Sequence, residues 1–150
     1  GFILNKPLIN VSLEAIWTNI GYENKNPFFT NKDVCIGGPL ASNAMFVIHS
    51  SEYFIDKKTI KVCEEISVTG TKEIIDDIQK GQGPRKAIFL LGYSGWIPGQ
   101  LEDEIMRDSW FVSEKFQNLI FGVDYQTKWT DALLLIGIDP SKLSSYAGSS

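Results

Sequence analysis

The chain contains one histidine and a cluster of carboxylates that could move a proton. His49 ends an apolar stretch, residues 44–49, while Glu102 and Glu104 lie close together further along the chain. An imidazole or a carboxylate can act as a general acid or base when its pKa is tuned towards neutral pH. One hypothesis is therefore an enzyme that uses Glu102, His49 or both. The competing interpretation of a single histidine at a strand end is a structural, hydrogen-bonded residue.

The two glutamates do not form an acid–base pair with each other. Two residues apart on a helix, their side chains point about 200° apart, because each residue turns the helix by ~100°. Either one would need a partner from elsewhere in the chain, such as His49. No nucleophile elbow, zinc-ligand spacing or nucleotide fingerprint is present, and Cys35 and Cys63 lie in no metal-spaced cluster. The sequence therefore does not favour an enzyme, and we predict no cofactor and no metal.

A glycine-rich turn, residues 92–99, follows a continuous apolar run and carries the other candidate residues. Open α/β sheets place their ligands at the ends of strands, so a ligand could bind at this turn. The candidate ligand-binding residues are Asn5, Tyr93, Ser94, Trp96, Gln100 and Glu102, with His49 as a further residue that could lie nearby. Any catalytic pocket would be expected at the same place.

A phosphate is disfavoured at this turn, although glycine-rich turns before helices often bind one. Glu102, Asp103 and Glu104 make the start of the following helix acidic, and the phosphate-binding lysine with its Ser/Thr neighbour is absent. The simpler interpretation is a tight turn whose glycines let Trp96 pack closely as an anchor.

The net charge of the chain indicates which classes of partner it can bind. With 14 basic and 18 acidic residues the net charge is −4, and no basic stripe is present beyond Lys57, Lys58 and Lys61. Nucleic-acid-binding proteins usually carry a clustered positive surface. Direct binding of DNA or RNA by the monomer is therefore not expected, and we predict a protein or small-molecule partner.

No apolar run approaches the ~20 residues of a membrane span, and no secretory segment is present, so we predict a cytoplasmic protein without membrane contact.

Hydrophobic periodicity predicts helices interleaved with strands. Helices are predicted at residues 13–20, 71–80, from 100 onwards and at 129–136, and the last should be buried over much of its surface. Gly37-Gly38-Pro39 suggests a close approach of two backbones, and residues 22–33 should form a loop. Strands are predicted at residues 34–36, 44–49, 60–63, 66–68, 87–91, 109–112 and 119–123. With no repeat and no linker, this order favours one domain with mixed α and β structure.

Several of these segments together resemble the AlgH/YqgE-like family of bacterial proteins. The most specific match is residues 92–105, Gly-Tyr-Ser-Gly-Trp-Ile-Pro-Gly-Gln-Leu-Glu-Asp-Glu-Ile. Shorter matches are the Gly-Phe-Ile-Leu-Asn-Lys-Pro start, Gly-Gly-Pro at 37–39, Phe-Val-Ile-His at 46–49, Trp129, and Gly-Ile-Asp at 137–139. The matches cover most of the chain.

The resemblance implies a fold and a role. The fold would be a single α+β domain over residues 1–150, with a bent or bifurcated mixed sheet, partly barrel-like and flanked by helices. In the family the first motif follows an earlier strand and helix, so we expect a shorter chain or a trimmed start here. Family members have been discussed as transcriptional regulators, notably of exopolysaccharide synthesis. The resemblance therefore implies a cytosolic regulatory or binding protein, and the acidic charge suggests regulation without direct DNA binding. A role in assembly is a further alternative, which an exposed apolar patch would favour.

Overall fold

The strands of the described residues form one mixed, open sheet. The computed structural model describes residues 1–9, 13–21, 34–114, 117–122 and 124–143, so the predicted loop at 22–33 lies outside them. The chain forms two compact units, residues 1–95 and 96–150, and all five strands belong to the first.

The sheet has the order β1-β5-β2-β4-β3. β1 runs parallel to β5, and the other neighbours are antiparallel. The edge strands β1 and β3 do not pair with each other, so the sheet is not closed. The predicted α+β class and the mixed sheet are confirmed. The strands are β1 (Val34–Ile36), β2 (Leu40–Ser50), β3 (Thr59–Lys61), β4 (Ile66–Thr69) and β5 (Ala87–Tyr93).

The strand predicted at residues 87–91 is confirmed as part of β5, an interior strand of the sheet, and its uninterrupted apolar run suits a strand covered on both faces. Two helices, α1 (Leu13–Asn19) and α2 (Lys72–Gln79), pack their apolar residues against it. Phe89 of β5 is 1% exposed and meets the ring of Trp17 edge-on at 5.8 Å between ring centroids. The core of the first unit therefore lies between β5 and these helices.

The first residues of the chain lie along the outer edge of β1. The Leu8 amide donates to the Val34 carbonyl at 2.8 Å, and the Ile3 amide donates to the Gly37 carbonyl at 2.8 Å. The Gly1 nitrogen donates to the Ser94 carbonyl, while the Ser94 amide donates to the Gly1 carbonyl, both at 2.8 Å. This segment thus links the edge of the sheet to the end of β5.

Gly37 and Gly38 make the close backbone approach that the sequence predicted. A Cβ atom on Gly37 would lie 2.4 Å from the Gly92 carbonyl oxygen, and one on Gly38 would lie 2.2 Å from the Tyr93 carbonyl carbon. Any side chain at these positions would force the β1–β2 connection away from β5. Gly92 itself has a φ of +70°, a conformation that glycine adopts without strain.

The second unit is helical in the described residues. It contains α3 (Gln100–Met106), α4 (Gln117–Gly122), α5 (Lys128–Leu135) and a short 3-10 helix (Pro140–Lys142). The strands predicted at 109–112 and 119–123 were wrong: the first stretch has no regular structure, and the second is largely α4. A short apolar run does not by itself distinguish a strand from a helix. No helix within the described ranges is long and apolar enough to cross a membrane.

A buried lysine links two of these helices. The Lys128 ammonium donates to the Leu119 and Ile120 carbonyl oxygens at 2.8 Å each and lies 5.3 Å from the centre of the Tyr125 ring. A cation near the carboxyl end of α4 is favourable, because the helix dipole is negative there.

Helix α5 is more exposed than its apolar composition predicted. Leu133 is buried, but Trp129, Leu134 and Leu135 are all exposed. The expectation that α5 would be buried over much of its surface was therefore wrong. An apolar face indicates that burial would be favourable, but it does not guarantee a covering element.

Candidate functional site

The Glu104 carboxylate is the centre of a polar and aromatic cluster in the second unit. Its Oε2 atom accepts hydrogen bonds from the indole Nε1 of Trp110 at 2.7 Å and of Trp96 at 3.1 Å. Its Oε1 atom accepts from the Gln100 Nε2 at 2.9 Å. The two indoles meet edge-on, with 5.9 Å between ring centroids. Three donors and one ring contact therefore fix the orientation of this carboxylate.

The local chain path explains why these groups meet. The predicted turn is confirmed at Pro98-Gly99, where Gly99 has a φ of +83°, and α3 begins at Gln100 as expected. The Gln100 Oε1 accepts from the Ile97 amide at 3.2 Å while its Nε2 reaches Glu104 one turn later. Residues four apart share one helix face. Gln100 thus ties the turn to the face of α3 that carries Glu104.

The hydrogen bonds favour the ionised form of Glu104. The donors, Trp110 first and then Gln100 and Trp96, hold the pKa of the Glu104 carboxyl below its usual value. At neutral pH the group is therefore an ionised acceptor, and its pKa has moved away from the range that suits a general acid or base. The arrangement can bind a hydrogen-bond donor or a cation, and it is poorly suited to proton transfer.

Exposed apolar side chains are concentrated around this carboxylate in sequence. Six of the large apolar residues that are exposed fall within residues 97–112, and the contact between Trp96 and Trp110 brings the two ends of this stretch together. Isolated exposed apolar residues are ordinary, whereas a concentration of them marks interaction surfaces. We call this region the 96–112 surface. Its exposed members are Ile97, Ile105, Met106, Trp110, Phe111 and Val112, and its organising residues are Trp96, Gln100 and Glu104.

His49 lies in the first unit, fully buried on β2. Its Nδ1 is 3.0 Å from the Ser50 carbonyl oxygen, and its Nε2 is 2.9 Å from the Thr69 hydroxyl. A carbonyl oxygen only accepts, so Nδ1 carries the proton and Nε2 accepts from Thr69. The Thr69 and Thr59 hydroxyls are 2.7 Å apart, and the Ile55 amide donates to Thr59 at 3.0 Å. The Ile55 amide, the Thr59 hydroxyl and the Thr69 hydroxyl therefore donate in succession towards Nε2, while Nδ1 donates away from the ring to Ser50.

The burial of His49 makes it a poor catalyst and a measurable contributor to stability. Desolvation lowers the pKa of the imidazole, while the Ser50 carbonyl and Glu52 raise it to a smaller extent. Both ring nitrogens are occupied by protein groups, as in a structural histidine.

We expect stability to fall as the pH falls below about 6.5, the usual pKa of histidine in an unfolded chain. Between that value and the lowered folded pKa the unfolded chain binds the extra proton, so acid favours unfolding. The slope from one such group is at most about 1.4 kcal/mol per pH unit. Urea unfolding from pH 8 to pH 5 should show this slope in the wild type and a smaller one in His49→Gln. Equal slopes in the two proteins would contradict the prediction. Carboxylates with lowered pKa values, such as Glu104, act only at lower pH.

The remaining predicted residues of the first unit do not converge on His49. In the register of β2 and β5, His49 lies opposite Ala87, whereas Tyr93 lies at the other end of β5, opposite Leu40. Six residues of strand separate these ends by about 20 Å. The Tyr93 ring packs edge-on against Phe46 at 5.7 Å. Ser94 is bound through its backbone to Gly1, and Asn5 is exposed.

In the second unit the structure brings together Trp96 and Gln100 and leaves Glu102 aside. Glu102 is exposed, on a different face of α3 from Glu104. Trp96 is half-buried, held by Trp110 and Glu104 instead of lying in the apolar core. Nothing in the sequence predicted a role for Trp110, and Glu104 was predicted only to contribute to the acidic start of α3 and, with Glu102, to a carboxylate pair that helix geometry rules out. The four-residue spacing of Gln100 and Glu104 is the signal that could have selected Glu104.

No metal site emerges from the described part of the chain. There, no group of three or more His, Cys, Asp or Glu side chains is placed to hold an ion. Cys35 is buried, Cys63 is half-buried, and neither forms a disulfide.

Similar structures share this fold. The solution structure of the AlgH protein from Pseudomonas aeruginosa superimposes with a TM-score of 0.77 and 24% sequence identity, over 100% of this chain and 78% of that one. A crystal structure of a protein from Corynebacterium diphtheriae gives a TM-score of 0.63 and 18% identity, over 99% of this chain and 75% of that one. At these identities the comparison concerns the fold alone.

Two relatives found by sequence have a higher identity to this chain than these two structures have. A UPF0301 protein of Nitrobacter hamburgensis is 38% identical over 154 residues, which covers 99% of this chain and 71% of that protein. A UPF0301 protein of Cereibacter sphaeroides is 38% identical over 148 residues, covering 99% and 80%. A family model described as AlgH-like matches residues 1–141. The chain therefore belongs to the AlgH-like family, as its turn at 92–105 and its Gly-Gly-Pro motif suggested.

Proposed function

We propose that this protein is a non-catalytic regulatory module that binds a protein partner through the 96–112 surface. The observation that carries the proposal is the concentration of exposed apolar side chains around a fixed, ionised carboxylate. Interface centres are enriched in aromatic residues and methionine, and this stretch supplies Trp110, Phe111 and Met106. The surface thus has the composition of a binding site for another protein.

The candidate catalytic residues give little support to the enzyme alternative. His49 uses both ring nitrogens in structural hydrogen bonds, and on β2 it lies opposite Ala87, the end of β5 that is far from the glycine-rich turn. Glu102 is exposed. General acid–base catalysis needs a group within reach of its substrate and a pKa near the working pH. A binding role requires neither.

Regulation would then act through the partner instead of through DNA. The net charge of −4 opposes the approach of a polyanion, because nucleic-acid affinity comes mainly from neutralising phosphates with basic groups. Two cysteines without a disulfide suit a reducing compartment, which supports the proposal that the protein works in the bacterial cytoplasm. Within the AlgH-like family this makes the chain a candidate indirect regulator of transcription.

Site-specific photocrosslinking in cells tests this proposal. A photoreactive amino acid at Phe111 or Met106 should trap the same protein partner, because both side chains are exposed on the 96–112 surface. The control position is Glu64, which is also exposed but lies in the first unit.

The proposal requires that crosslinking depends on where the photoreactive amino acid is placed. A partner trapped from Phe111 and Met106 and absent at Glu64 supports the proposal. Equal crosslinking from all three positions, or none from the surface positions in folded protein, would overturn it. A product twice the mass of the chain would indicate a second copy as the occupant and would also refute a distinct partner.

A further inference from the structure

The Glu104 carboxylate carries a charge that no described cation neutralises. Its hydrogen-bond partners among the described residues, two indole N–H groups and one amide, are neutral donors, and no lysine or arginine there lies within ion-pair distance of it. An ionised carboxylate offers about four acceptor positions on its two oxygens. Two donors occupy Oε2 and one occupies Oε1, so one position on Oε1 remains for a donor from another molecule.

The surrounding charge has the same sign. Residues 96–112 contain four carboxylates and only one guanidinium, that of Arg107. Summed charge of one sign attracts a partner of the opposite sign and repels its own kind. A symmetric pair of chains would bring the same surface together twice, with carboxylates facing carboxylates. Charge complementarity therefore favours a basic partner over a second copy of this chain.

The exposed apolar groups narrow the chemistry of that partner further. Trp110 is 48% exposed although its N–H is bound to Glu104, so part of its indole ring is available for contact. A guanidinium can donate a hydrogen bond to a carboxylate while its plane stacks on an aromatic face. An ammonium lacks that flat face. Ile97 and Phe111 are also exposed and are the chain neighbours of the two indoles that bind the carboxylate, so they offer apolar surface near the charge.

We propose that the partner binds through a segment in which an arginine flanked by apolar residues pairs with Glu104 and stacks on Trp110. This inference rests on the proposed function, because it names the partner chemistry of the same surface. The arginine supplies the missing counter-charge and the donor for Oε1. The flanking residues cover Phe111 and Ile97, the exposed neighbours of the two indoles.

A short synthetic peptide tests the inference directly. The probe is a blocked peptide, Gly-Ser-Leu-Phe-Arg-Leu-Phe-Ser-Gly, compared with the same peptide carrying citrulline, the neutral isostere of arginine. The indole N–H resonances of Trp96 and Trp110 report binding by ¹⁵N NMR titration up to millimolar peptide. We expect the arginine peptide to shift both resonances. The citrulline peptide should bind about tenfold more weakly, since a hydrogen bond to a charged group is lost.

Matched protein variants locate the charge. Glu104→Gln should weaken the arginine peptide about tenfold, while Glu102→Gln removes the same charge from the same helix and should leave affinity within about twofold, as for a screened surface charge. If both variants weaken peptide binding equally, the peptide is attracted by the overall negative charge of the surface, and the specific role of Glu104 is overturned. Since Glu104→Gln could disturb the indoles, the citrulline comparison on the unaltered protein provides an independent test.

The outcomes separate the two proposals. Equal binding of the arginine and citrulline peptides at Trp110 would refute the arginine pairing and leave the protein-binding surface standing. No shift of either resonance at millimolar arginine peptide would also refute the pairing. Arginine-dependent binding without any crosslinked partner in cells would support the pairing and refute the proposed function.

Discussion

Gly38→Ala is expected to lower the free energy of unfolding by about 3 kcal/mol, the upper end for overpacking a close contact. The added methyl carbon would lie 2.2 Å from the Tyr93 carbonyl carbon and 2.4 Å from the Ser94 nitrogen. Both atoms belong to backbone, so no side chain can rotate away. The chain must separate the β1–β2 connection from the end of β5 to accept the substitution. Urea denaturation of the purified variant measures the loss.

Gly122→Ala provides the matched control. Gly122 ends α4, and a Cβ atom there would meet nothing within 4 Å. Alanine is the better helix former by up to about 1 kcal/mol, so this variant should be unchanged or slightly more stable. If Gly38→Ala loses less than about 1 kcal/mol, an ordinary effect for a substitution, the close approach of the two backbones is not as tight as the structure shows.

Phe89→Ala is expected to cost about 3–5 kcal/mol, the range for removing a buried aromatic ring. Phe89 is 1% exposed on the interior strand β5 and lies edge-on against Trp17, which is equally buried. Removing the ring loses its burial and leaves a cavity between the sheet and α1. Against a typical total of 5–15 kcal/mol, this loss would leave the fold marginal. Thermal and urea unfolding should both show it.

Phe54→Ala serves as the control for that loss. Phe54 belongs to the same unit, but it is 58% exposed, so its removal should change the free energy of unfolding by about 0.5 kcal/mol or less. Comparable losses in the two variants would mean that Phe89 is not the central packing residue of the sheet.

The sequence predicted best those elements whose pattern reflects their own surroundings. The apolar run of β5 indicated burial on both faces, and Gly37-Gly38 indicated a close backbone contact. In both cases the residue type reflects the surroundings of that same residue: an apolar side chain is buried, and a glycine leaves room for a neighbouring backbone. The AlgH-like turn and the start of α3 followed for the same reason, since Pro98-Gly99 fixes the local backbone.

The failures have a common cause in tertiary contacts. Leu119–Ile120–Phe121 has the composition of a strand, but the segment is helical, with Lys128 bound to its carbonyl groups. In the same way, nothing local to Glu104 shows that the Trp110 indole, six residues later, will donate to it. Glu102 and Glu104 look equivalent in the sequence, and contacts from elsewhere distinguish them.

The two edges of the sheet restrict how another chain could be captured. At one edge β3 is only three residues long and stands among Lys57, Lys58 and Lys61. At the other, residues 3–8 already occupy the hydrogen-bonding groups of β1, and Pro7 lacks an N–H to offer a newcomer. Adding a foreign strand, which is how many domains capture extended peptides, is therefore disfavoured in this fold. For the described part of the chain, recognition through side chains is then favoured, and its sheet edges should resist conversion into fibrils.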